Sequence, residues 1–291
     1  MPEGDTVWRT ADRLNRALAG ETVTRSDLRF PSIATVDLRG ATTLEVVSRG
    51  KHILHRLEHG GDRVTVHSHL KMEGQWRVEA TDTVGGWLRR DDLRAAIGAP
   101  RWTALGLRLG NLDVVPTDRE GDLVGHLGPD LLGPDWEAEA AVANLRRSSA
   151  PIGAALLDQR NLAGIGTLWC AETLFVERLH PWTEADSLAP EVVASVVARA
   201  HRFLVAAKEH PVQSSTGSRR KGEETFAHAR SGRPCRRCGD AIRVAMIGPP
   251  GRERTMFYCP TCQGGLGPTD DGRRQNPLGS SRGRATPYRR S

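Results

Sequence analysis

Four of the five cysteines stand in two matched pairs, Cys235-Arg-Arg-Cys238 and Cys259-Pro-Thr-Cys262, separated by 20 residues. Two such knuckles can bring four thiolates to the corners of a tetrahedron, the ligand set of structural zinc. The spacing therefore implies one structural Zn2+ held by Cys235, Cys238, Cys259 and Cys262. Disulfides are disfavoured in a cytosolic chain, and two matched pairs fit a metal better than a redox dithiol. The segment between the pairs reads as a hairpin: residues 241–247 and 253–258 are strand-like, and Pro249-Pro250-Gly251 turns the chain. So short a hairpin has little core of its own, so the metal is expected to supply its folding energy.

The elements around it fall into blocks. Residues 5–20 read as an amphipathic helix, with Val7, Leu14 and Leu18 near helical spacing and Gly20 as a stop. From about 22 to 116, short β-type runs alternate with Gly, Asp and Pro, the pattern of a sandwich or barrel. Residues 130–210 are helical in pattern, and Pro190-Glu191 is a good helix start. Beyond Gln263 almost nothing is apolar, which predicts disorder. The expected organisation is multidomain α+β. It comprises a domain over 2–117, a linker over 118–129, a helical domain over 130–230, a zinc finger over 231–263 and a basic tail over 264–291.

Composition adds bounds. The chain has 291 residues, with 38% hydrophobic and 26% charged, an ordinary globular balance. No apolar run is long enough for a membrane span. The opening MPEGDTVWRT lacks the basic start and apolar stretch of a signal peptide, so the expected location is the cytosol. Net charge is +6, but residues 264–291 hold six Arg against two Asp and supply +4 of it. The folded part is therefore only mildly basic, and the tail is expected to add salt-sensitive phosphate affinity.

Three segments in order carry a resemblance. They are Met1-Pro2-Glu3-Gly4, then Leu156-Leu157-Asp158-Gln159 with Leu162-Ala163-Gly164-Ile165-Gly166, then the hairpin closing on Cys259-Pro-Thr-Cys262-Gln263. Together they resemble the formamidopyrimidine-DNA glycosylase and endonuclease VIII family over roughly residues 2–263. The resemblance implies an N-terminal β-sandwich with an N-terminal helix, a helix–two-turn–helix domain and a C-terminal zinc-finger hairpin. It also implies a base-excision-repair enzyme acting on damaged double-stranded DNA, nucleoid-associated when bound, working as a monomer without a small-molecule cofactor.

It further implies roles. Once Met1 is removed, Pro2 is a secondary amine able to attack sugar C1′, expel a damaged base and form an iminium that acidifies the C2′ proton. Glu3 would be the general acid/base for the opened sugar. Lys51, in Ser48-Arg49-Gly50-Lys51-His52, matches a lysine that binds phosphate beside the lesion. The target nucleotide must leave the stack, and Met72, in Ser68-His69-Leu70-Lys71-Met72-Glu73-Gly74, matches the wedge that fills the gap. On its residue type alone, Met72 reads more readily as core. Gln159, Gly164, Gly166 and Thr167 would bind DNA at the helix–turn segment, and Arg254, five residues before Cys259, would reach phosphate from the finger tip.

Three places depart from the family pattern. Thr167 stands where an Asn binds phosphate, Thr6 stands where a second Glu is usual, and Lys71 and Glu73 replace Gln and Tyr of one bacterial endonuclease VIII type. Only about 25 residues separate the helix ending near 209 from Cys235, too few for the longer loop that covers oxidised guanine in the purine branch. The expected activity is removal of oxidised pyrimidines with strand nicking by β,δ-elimination. Glycosylase action on oxidised purines and non-catalytic binding of damaged DNA are the alternatives.

Overall fold

The computed structural model describes residues 2–278 and separates into two compact units, Met1–Leu127 and Gly128–Ser291. The first begins with helix α1 (Gly4–Leu18). Its buried stripe is Val7, Ala11, Leu14 and Leu18, the i, i+4, i+7, i+11 spacing of one helix face. Eight strands follow: β1 (Arg25–Leu28), β2 (Thr42–Arg49), β3 (His52–His59), β4 (Asp62–His69), β5 (Gln75–Ala80), β6 (Leu93–Gly98), β7 (Trp102–Leu107) and β8 (Asn111–Pro116). They form two four-stranded antiparallel sheets, ordered β1-β6-β7-β5 and β2-β3-β4-β8.

The sheets face each other as a sandwich. Val46, Ile53, Leu57, Val66 and Leu112 from one and Leu28, Trp76, Ala95, Ile97 and Ala104 from the other share one core with α1. The Trp76 indole N–H crosses that core to Ser68 Oγ at 3.0 Å. Helix α1 is tied to both sheets, because Asn15 Oδ1 accepts the Val46 N–H at 2.8 Å and the Arg13 guanidinium donates to the Trp76 carbonyl. A 3-10 segment, Thr81–Arg89, covers the outer face of the β1-β6-β7-β5 sheet over Leu93, Ala96, Leu105 and Leu107, an element that the strand-like reading of 22–116 does not include. The stretch expected as a linker contains a short helix α2 (Gly121–Val124), and the division between units, at 127/128, falls within that stretch.

The second unit holds α3 (Ala138–Arg146), α4 (Ile152–Leu157), α5 (Thr167–Val176), α6 (Pro190–Lys208), the hairpin β9 (Arg243–Ile247) and β10 (Arg254–Tyr258), and a turn of helix α7 (Pro260–Gln263). Helices and hairpin share a single core. Val244, Ile247, Met256 and Phe257 pack in the same cluster as Leu156, Trp169, Phe175 and Leu204. The unpaired Cys170 is buried there, 3.5 Å from the Gly153 carbonyl. The finger is thus not a separate core: the hairpin, too small to stand by itself, also leans on the helices.

The expectation of disorder from residue 264 is also corrected through residue 278. Gly267 N–H donates to Tyr258 Oη at 2.9 Å, and the Gln275 side chain brackets Val244, accepting its N–H and donating to its carbonyl at 2.8 Å each. Polar side chains hydrogen-bonding to a strand edge replace the apolar contacts that the composition lacks. The basic end of the expected tail, 279–291, lies outside the described residues.

Candidate active site and nucleic-acid interface

Pro2 lies at the head of α1, partly exposed, with Glu3 as the first flanking residue of the helix. Glu3 is only 1% exposed, and its carbonyl takes the Val7 N–H at 3.0 Å. Buried helix positions directly behind them fix the chain end in space, since Val7 and Ala11 are in the sandwich core. Thr6, where the family pattern has a second carboxylate, instead sits in a partly buried network: its hydroxyl accepts from Arg9 Nη2 at 3.1 Å, and Arg9 also reaches Asp5 at 3.2 Å.

Lys51 occupies the second position of a two-residue turn, because Arg49 pairs directly with His52 across β2 and β3. Met72 is at the tip of the loop after β4 and is 60% exposed, so the core reading of this methionine does not hold. The loop is braced from below. Gly74 N–H closes on the Leu70 carbonyl at 2.9 Å, and Gly110, in the β7–β8 turn, donates to the His69 carbonyl at 3.1 Å. A Cβ at Gly110 would lie 2.0 Å from Lys71 Cγ, so only glycine allows this approach. Lys71 and Arg108 both adopt left-handed backbone, φ 54° and 48°. Glu73 lies 3.7 Å from Arg108 across the two loops.

Beside this edge lies a cluster that the sequence reading passed over. His52 Nδ1 is 2.7 Å from His67 Nε2, and His67 Nδ1 is 3.0 Å from Asp113 Oδ2. His69 packs edge-on to His52, with ring centroids 4.8 Å apart. The signal was present in His67-Ser68-His69: alternate residues of a strand share a face, so two imidazoles had to lie side by side.

In the second unit the helix–turn residues are knitted to one another. Gln159 Nε2 donates to the carbonyls of Leu157 at 3.1 Å and Ile165 at 3.0 Å, and its Oε1 accepts the Gly164 N–H at 3.1 Å. Its side-chain amide is therefore engaged within the turn and shapes it. Gly164 has φ 100°, a conformation that a side chain would strain. Gly166 caps α5 in extended backbone, and Thr167 is the first helical residue, buried at 6% exposure. Farther along α5, the fully buried Glu172 carboxylate accepts the N–H groups of Phe226, Ala227 and His228 at 2.7, 2.8 and 2.7 Å and the Ser215 hydroxyl. One side chain thus pins the segment preceding the cysteines.

The four sulfurs of Cys235, Cys238, Cys259 and Cys262 lie within 4.8 Å of one another. The Cys235–Cys262 and Cys238–Cys259 separations are 3.9 and 3.5 Å. Zinc–sulfur bonds of about 2.3 Å in a tetrahedron place sulfurs about 3.8 Å apart, whereas a disulfide needs about 2.05 Å. The donor set fits a tetrahedral thiophilic ion. Arg254 opens β10 and is exposed, its guanidinium curling back to the Glu253 carbonyl at 3.1 Å.

Residues 1–127 match the formamidopyrimidine-DNA glycosylase N-terminal domain, and residues 127–218 match the formamidopyrimidine-DNA glycosylase H2TH domain. The chain is 47% identical over 274 residues to a probable endonuclease 8 2 of Streptomyces coelicolor, covering 94% of this chain and 98% of that protein. This chain belongs to the formamidopyrimidine-DNA glycosylase and endonuclease VIII family. It is also 41% identical to the DNA-(apurinic or apyrimidinic site) lyase Nei2 of Mycolicibacterium smegmatis, covering 90% of this chain and 99% of that protein. Among solved structures it resembles Lactococcus lactis Fpg in complex with DNA containing N7-benzyl-Fapy-dG. The TM-score is 0.72 at 22% identity, over 90% of this chain and all of that one, a likeness that shows the shared fold. Family membership accounts for the architecture seen above, sandwich, helix–two-turn–helix and cysteine hairpin in that order. Among the described residues no helix is long and apolar enough to cross a membrane.

Proposed function

We propose that this chain is a bifunctional DNA glycosylase and abasic-site lyase of base excision repair, acting on oxidised pyrimidines in double-stranded DNA. The observation that carries this reading is the 47% identity to an endonuclease 8-named protein over nearly the whole length of both. With Met1 removed, the Pro2 nitrogen attacks C1′ of the flipped nucleotide, and the bond from C1′ to the base breaks. Glu3 protonates O4′ as the sugar ring opens, leaving a Pro2–C1′ iminium. The positive nitrogen acidifies C2′, a base removes that proton, and the C3′–O bond breaks. A second elimination breaks the C5′–O bond, and water releases the sugar fragment from Pro2.

Lys51 supplies a cation for the phosphate beside the lesion, and Met72, exposed on a braced loop, is the wedge for the vacated stack. Gly164, Gly166 and Thr167 present backbone at the start of α5 to phosphate, Gln159 holds that turn in shape, and Arg254 adds a cation from the hairpin. The four cysteines would hold one Zn2+ with a purely structural part. The working form is a cytoplasmic, nucleoid-associated monomer.

Borohydride trapping tests this. Untagged protein is mixed with duplexes bearing an abasic site or thymine glycol, reduced, and mapped by mass spectrometry. An adduct on Pro2 with both duplexes is the expected result. An adduct with the abasic duplex alone would reduce the reading to a lyase, and none with either, despite confirmed Met1 removal, would overturn it. Faster processing of 8-oxoguanine than of thymine glycol would reassign the lesion class.

A further inference from the structure

The outer face of the β2-β3-β4-β8 sheet carries a hydrogen-bonded chain that the Pro2 chemistry does not use. His67 pairs directly with Asp113 on β8, and His52 pairs directly with His69 on β4, so all four side chains share one face. The bond of 3.0 Å to Asp113 sets the direction of the chain. A carboxylate only accepts, so the hydrogen is on His67 Nδ1. In the tautomer that carries only this hydrogen, His67 Nε2 accepts and His52 Nδ1 is the donor across 2.7 Å. His52 is left with Nε2 as its basic atom, connected through two rings to a fixed negative charge.

The charged and titratable groups with the largest effect on His52 are imidazoles and a lysine. His69 faces it from β4, Arg49 is its partner on β2, Lys51 precedes it in the turn, and Lys71 and His126 add to the field. Burial first, then His69, His67, His126 and Lys71, push the His52 imidazole down to about 3. Burial, then Lys71, Lys51 and His67, push His69 down to about 4. The rings are therefore neutral at pH 7, and an anion set against this edge removes the repulsion that keeps them so.

We propose that Asp113, His67 and His52 form a proton-uptake relay for DNA phosphate. When a backbone phosphate settles at the Lys51–Lys71 edge, His52 Nε2 takes one proton from solvent, and Asp113 is the counter-charge at the far end. No covalent bond changes. Asp113 and His67 are positioning residues, because they act through His52. The proposal rests on the DNA-binding function above.

The sign of the linkage follows. The bound state holds one more proton than the free state between the free and bound pKa values, so affinity is highest at low pH and falls as pH rises. The limit for one proton is about tenfold in Kd per pH unit. The test is fluorescence anisotropy with a duplex carrying a tetrahydrofuran abasic analogue, from pH 5.5 to 8.5 at fixed ionic strength. Calorimetry in two buffers of different ionisation heat counts protons directly.

Asp113→Asn keeps an acceptor for His67 but removes the charge, and His52→Phe removes the base. Both should lose at least half of the wild-type slope and of the proton count, while Asp113→Asn retains the wild-type thermal midpoint. A wild type without proton uptake, or variants with an unchanged slope, overturns the relay while leaving DNA binding intact. Absence of binding at every pH overturns the DNA function and the relay together.

Discussion

The carboxylate of Asp270 and the guanidinium of Arg243 form a two-pronged ion pair, with Nε–Oδ2 at 2.6 Å, although Asp270 lies beyond the last cysteine in a stretch that composition marks as tail. The Asp270 side chain is wholly buried and also accepts the Tyr258 hydroxyl at 2.6 Å. Removing one partner of a buried pair strands the other. Asp270→Ala should therefore destabilise the second unit by about 3 kcal/mol. Asp271→Ala, at an exposed neighbouring carboxylate, is the control and should change little. Denaturant unfolding of the two variants reads the difference, and equal midpoints would mean that the segment does not hold the hairpin.

His55 contributes one share of the acid response of the first unit, beside His52 and His69. It is buried between the sheets with Thr43 Oγ1 at 2.9 Å from its Nε2, and burial pushes its imidazole down to about 4. A depressed histidine leaves the unfolded chain holding more protons between about pH 6.5 and 4, so stability is present above 6.5 and is lost as pH falls toward 4. From pH 7 to 5 the His55 share of the loss should be about 2 kcal/mol. His55→Phe should remove about 2 kcal/mol of the loss in urea unfolding, leaving the shares of His52 and His69. A variant that loses stability as steeply as wild type would assign the acid response elsewhere.

Met72 separates folding from binding. It touches solvent over most of its surface, so Met72→Ala should move stability by less than about 0.5 kcal/mol. Binding to a duplex with an abasic analogue should weaken about tenfold, with less than about twofold change for undamaged duplex, whose affinity is set by phosphates. Equal losses on both duplexes would contradict a wedge.

Cys259→Ser tests the metal. Wild-type protein should carry about one zinc per chain, and the variant should lose it because three thiolates hold zinc less well than four. Since β9 and β10 share their core with α5 and α6, metal loss should loosen the helices too, seen as faster amide exchange at Trp169 and Phe175. Full zinc occupancy in the variant would remove Cys259 from the ligand set.

Some of this protein is written locally and some is not. The two Cys-x-x-Cys pairs, the stripe Val7, Leu14, Leu18 and the turn at Pro249-Pro250-Gly251 each declare themselves within a few residues, because spacing and backbone preference are local properties. Local pattern also marks the β-rich block before the helical one, and motif order marks the family. Tertiary structure decided what depends on partners far away in the chain. Met72 is exposed because Gly110 braces its loop, and Gln159 is turned inward by carbonyls that appear only when the two turns close. Residues 264–278 are seated because Arg243, Val244 and Tyr258 present unsatisfied polar groups to them. The imidazole chain from Asp113 to His52 exists because strand register places three separate segments side by side. Composition registers how much polar character a segment has, but whether that character faces water or another segment is settled by packing alone.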